Sequence, residues 1–133
     1  MTINDTKQVF MNTYLTKAQT LFTLSKKELN NAKHANSDEL ARDASGKAWI
    51  ATTDALRGFL LTHGIKKNRL PKSERQLHDI LALYCNEQML LLYGSIRSEI
   101  HENAYYEGMI NYMSLLETLN HVKNFIRRCG NGG

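Results

Sequence analysis

The chain has 133 residues, 42% of them hydrophobic and 23% charged, with a single proline; that is enough for one buried core, too short for two, and too apolar for a disordered or fibrous chain. A net charge of +4 permits a polyanionic partner without demanding one, so the placement of charge has to decide. The two cysteines, Cys85 and Cys129, form no Cys-x-x-Cys pair, and the longest apolar run, Met89 to Tyr93, is far short of a membrane span, which argues against a zinc site, a disulfide framework and membrane insertion.

Between about Asp5 and Lys33, the residues Phe10, Tyr14, Ala18, Leu21, Leu24 and Leu29 recur mostly at three- and four-residue steps, the period of one helical face. The polar string from His34 to Asp38 breaks that period. Asn36, three positions before Glu39, reads as a capping box that opens a second helix over about Ser37 to His63. Leu40, Ala44, Ala48, Ala51, Ala55 and Phe59 give this helix a small-residue stripe against which another helix can lie closely, and Gly64 stops it. Gly46 costs about 1 kcal/mol relative to alanine inside a helix, which implies either close backbone contact or a weak point in the helix, and Trp49 reads as a core or interface anchor.

The stretch from Gly64 to Lys72 is a loop closed by Pro71, and it carries Lys66, Lys67, Arg69 and Lys72. This basic group could meet phosphates but lacks interleaved aromatic residues. Ser73 and Gln76 form a second capping box, so a third helix starts there with Leu77, Ile80, Leu81 and Tyr84 facing inward. Past Asn86 the apolar density rises through Tyr93, as a continuation or a second segment kinked at Gly94 and running to about Glu102. Met109, Ile110, Met113, Leu116, Leu119, Val122 and Ile126 set a last helix from about Tyr106 to Arg128, ended by Gly130. With no repeat and no strand-like alternation, residues 1–133 read as one all-α domain, an antiparallel up-and-down bundle of four to five helices.

Chemistry concentrates between Ser95 and Gly108. Arg97 and His101 are four residues apart, about 40° around a continuous α-helix and therefore adjacent. A guanidinium that holds phosphate charge beside an imidazole that moves a proton near neutral pH is the equipment of metal-free RNA cleavage. Glu99 and Glu102 oppose a phosphate and can instead pair with Arg97 or His101. Tyr105 and Tyr106 could stack on a base, or form a packed corner. No cluster calls for a metal or a cofactor.

From about Tyr14 to Arg128 the chain resembles the HEPN-like helical domains of bacteria and archaea. The resemblance is carried by Ala48-x6-Ala55-Leu56-Arg57-Gly58-Phe59-Leu60, by Leu77-His78-Asp79-Ile80-Leu81, and by Ile100-His101 leading into Tyr105-Tyr106-Glu107-Gly108. The last piece is most similar to a small bacterial branch in which a histidine precedes a Tyr-Tyr-acidic-Gly turn. The unpaired cysteines fit a reducing cytoplasm; the resemblance implies an up-and-down helical bundle, a homodimer, and either a non-catalytic binding module or a toxin-like endoribonuclease with a nucleotidyltransferase-type protein partner. In the nucleases, four to six residues separate Arg from His, whereas three separate Arg97 from His101; Arg57 and His63 have a compatible gap, but Gly58 replaces the polar neighbour. The expectation is therefore a binding and dimerisation module. The alternatives are cleavage by Arg97 and His101, or RNA or nucleotide binding through Lys66, Lys67, Arg69 and Lys72 with Tyr105 and Tyr106.

Overall fold

The computed structural model describes residues 3–132, with side chains from Thr13 onward; the Phe10 side chain lies outside the described residues. Helix α1 spans Ile3–Ala35 and α2 spans Asp38–Thr62. The reversal between them takes two residues. Asn36 adopts a left-handed φ of 50°, and the next amide, of Ser37, donates to the Ala32 carbonyl at 2.9 Å, so Asn36 closes α1 in a Schellman-type turn. Ser37 then caps α2 by accepting from the Leu40 amide at 3.2 Å. The capping box expected from Asn36 does not form; a single N-cap bond one residue later replaces it, because Asn36 takes the left-handed conformation that ends the preceding helix.

α2 is the central helix. Every residue from Ala51 to Leu56 is buried, the pattern of a helix covered nearly all round. Its Ala44, Ala48, Ala51 and Ala55 are essentially inaccessible, and the backbones of α1 and α2 approach closely enough for the Ser25 hydroxyl to donate to the Ala44 carbonyl at 2.7 Å. The stripe begins later than its sequence suggests, since Leu40 is 45% exposed.

Beyond a 3-10 turn at Lys67–Arg69, α3 occupies Glu74–Tyr84, capped as expected by Ser73, and sends Leu77 and Leu81 into the core. α4, Glu87–Ile96, is a separate helix capped by Asn86; Gly94 produces no break. The irregularity comes immediately after, where Arg97–Tyr106 winds as a π-helix. Its closing bonds run from the Glu107 amide to the Glu102 carbonyl and from the Met109 amide to the Asn103 carbonyl, with Gly108 at φ +66°, a helix stop widened relative to an α-helical one.

Those closing residues displace the start of the last helix. α5 spans Tyr112–Gly130 with Asn111 as its cap, not Tyr106 onward, so Met109 and Met113 are 64% and 75% exposed rather than inward. Leu119, Val122 and Ile126 fill the core as their spacing suggests, joined by Leu115, Phe125 and Cys129. The Tyr112 hydroxyl lies 3.2 Å from the carbonyls of both Ala32 and Ser37, pinning α5 to the α1–α2 turn. Among the described residues there is no strand, and no helix is long and apolar enough to cross a membrane. The fold is an all-α bundle.

Candidate functional site

The π-helical segment lies across α2, and the two are locked by side chains at regular helical spacing on α2. Arg42 donates through Nε to the Tyr105 carbonyl and through Nη2 to the Tyr106 carbonyl at 3.2 Å, with its guanidinium 5.8 Å from the centre of the Tyr105 ring. One turn on, Gly46 gives the Tyr105 ring room: a Cβ there would stand 2.8 Å from a ring carbon. Trp49, the next residue on this face, lies flat against the His101 imidazole, with ring centres 4.6 Å apart and planes 17° apart.

His101 is 8% exposed. Its Nε2 lies 2.5 Å from Glu74 Oε2, while Arg97 Nε donates to Glu74 Oε1 at 2.9 Å. One carboxylate in the first turn of α3 therefore engages both residues singled out in the sequence. Glu102 reaches Arg97 Nη2 only at 3.7 Å. The Glu74 hydrogen bond raises the Arg97 pKa above the usual guanidinium value, against a smaller opposing effect of burial. The angular argument from α-helical geometry does not apply here, because i→i+5 bonding changes the step per residue; Arg97 and His101 share a face and an acceptor.

His101 Nδ1 is buried without a hydrogen-bond partner among the described residues. With Nε2 committed to Glu74 and Nδ1 turned inward, the imidazole presents no free nitrogen to a substrate. Tyr106 meets its ring edge-on at 4.8 Å, and Tyr105 lies nearly parallel at 6.4 Å. The two tyrosines are 40% and 63% exposed respectively, so they form the packed corner and leave part of each ring outside.

Beside this knot, Tyr93, Arg97, Ser98, Glu102, His78 and Leu81 line a cavity of about 240 Å³. Tyr93 is 1% exposed, and its hydroxyl has no protein partner among the described residues. Burial, aided by Glu74, pushes its pKa above the ordinary phenol value. A buried hydroxyl without a partner costs about 1 to 3 kcal/mol. Tyr93→Phe should therefore raise folding stability by about 1 kcal/mol, measurable as an upward shift of the urea midpoint at unchanged slope.

The remaining sequence candidates lie elsewhere. Lys66, Lys67, Arg69 and Lys72 are exposed on the loop before α3, and none of them lines the cavity beside Arg97. The loop is anchored by buried Leu70 and Pro71 and by the Arg57 Nε bond to the Pro71 carbonyl at 3.2 Å. Arg57 also reaches Asp54 at 3.5 Å, whereas His63 turns its Nδ1 to the Phe59 carbonyl at 3.1 Å; these two do not form a site. Burial raises the Asp54 pKa against the pull of Lys17 and Arg57. Among the described residues no group of three or more His, Cys, Asp or Glu is placed to hold a metal. Glu74 was not singled out in the sequence, where nothing local pairs it with Arg97, 23 positions away, or with the more distant His101. No protein-family model, curated protein or solved structure matches the chain.

Proposed function

We propose that the protein is a HEPN-like helical module that acts by binding and dimerisation and does not cleave RNA. The observation that carries this reading is the Glu74 carboxylate shared by Arg97 and His101. It occupies the guanidinium edge and the imidazole nitrogen that a phosphate and a ribose hydroxyl would need, and its negative charge repels the substrate. The Trp49 stack adds that His101 serves as a packed polar group. Dimerisation is supported by the large apolar side chains left outside, Tyr106, Met109 and Met113 among them, which a partner surface would cover.

The test is direct. Wild type, His101→Ala and Glu74→Gln are incubated with total and structured RNA, and products are resolved on denaturing gels. The expected result is no cleavage by any of the three. Cleavage by wild type that disappears in His101→Ala would establish the endoribonuclease alternative and overturn this reading.

A further inference from the structure

α5 presents one stripe to the outside, Met113, Glu117, Asn120, Asn124, Arg127 and Asn131, at alternating steps of four and three, which line up along one face of the helix. All are exposed except Asn124, which is half-buried. The stripe runs as a ridge between two grooves. One, of about 730 Å³, lies against α1 and includes Leu15, Phe22 and Lys123. The other, of about 400 Å³, lies against α4 and includes Leu91, Leu92 and Arg128. Asn124 and Arg127 line both, and no acidic side chain among the described residues lines either. Neither Glu117 nor Arg127 makes an ion pair with a described residue.

Charge is therefore polarised along the ridge, acidic at Glu117 and basic at Arg127, about 15 Å further on. A parallel copy would set like charges against each other. An antiparallel copy does the opposite. A two-fold axis over the midpoint of Asn120 and Asn124 places Glu117 opposite the partner's Arg127, Asn120 opposite the partner's Asn124, and Met113 opposite the partner's Asn131, each contact occurring twice. The same arrangement opposes the two helix dipoles and seats each ridge in a groove of the other protomer. A polyanion is a poorer fit, because Glu117 sits in the same stripe.

We infer that the outer face of α5 is the seam of a two-fold homodimer held by reciprocal Glu117–Arg127 pairs; this rests on the dimeric reading above and specifies its surface. Sedimentation velocity at tens of micromolar tests both separately. The wild type should sediment at twice the 15.2 kDa chain mass. Glu117→Arg and Arg127→Glu should each weaken the dimer by about tenfold or more, and the double charge swap should restore it. Both sites are exposed, so circular dichroism should be unchanged. A dimeric wild type indifferent to the single substitutions, or single losses that the double swap fails to rescue, overturns the seam and leaves dimerisation standing. A monomeric wild type, with or without RNA bound to the basic end of α5, overturns both.

Discussion

Trp49→Ala is expected to lower folding stability by about 3 to 5 kcal/mol, the range for removing a large buried aromatic side chain. Trp49 is 8% exposed and packs on two rings at once, His101 at 4.6 Å and Tyr93 at 5.4 Å. Its removal opens a cavity between α2 and the π-helical segment, and it strips one face of an imidazole whose buried Nδ1 has no partner among the described residues. Neighbouring groups cannot readily collapse into the space, since Arg42 and Gly46 fix the Tyr105 end of the segment to α2. A domain of this size has about 5 to 15 kcal/mol in total, so the variant should be marginal and its urea midpoint strongly reduced. Trp49→Phe keeps a stacking ring and should lose less than half as much. Equal losses for both variants would mean that shape, and not ring contact with His101, sets the cost.

The helical class, the α1–α2 reversal and the caps at Ser73 and Gly64 could be read from the sequence because each is a local signal. A capping hydroxyl or a residue tolerant of positive φ acts within a few positions of itself. The exchange of roles between Asn36 and Ser37 was harder, since either side chain can cap and only the left-handed φ of Asn36 decides. The π-helical turn left no comparable signal: the residues buried through it, Ile96, Ile100, His101 and Ala104, are spaced at three and four as on an α-helical face. That widened turn carries the chain past Tyr106 and strands Met109 and Met113 outside.

For the site, the sequence supplied Arg97 and His101 as neighbours and Trp49 as an anchor, but not what they meet. Arg42, Gly46 and Trp49 follow helical spacing on α2, so a common face could be inferred, but nothing local says that a second segment lies on it. Glu74 had a sufficient local explanation as an acid in the first turn of a helix. That explanation concealed its tertiary role, because long-range pairing has no sequence period.

Glu74→Ala should cost about 2 kcal/mol, because hydrogen bonds to charged groups contribute roughly 1.5 to 3 kcal/mol each and partial exposure of Arg97 and Glu74 screens the ionic share. The loss falls on α3 in particular. This helix buries only Leu77 and Leu81, and Glu74 ties its first turn to the π-helical segment through two contacts of 2.9 Å and 2.5 Å. Hydrogen exchange should therefore rise in α3 before the α1–α2 pair responds. Glu74→Gln retains one acceptor and should lose about half as much. A double-mutant cycle with Arg97→Ala isolates the ion pair: coupling of about 1 kcal/mol is expected, well above additivity error. Additive losses would show that the Arg97–Glu74 pair contributes nothing to stability.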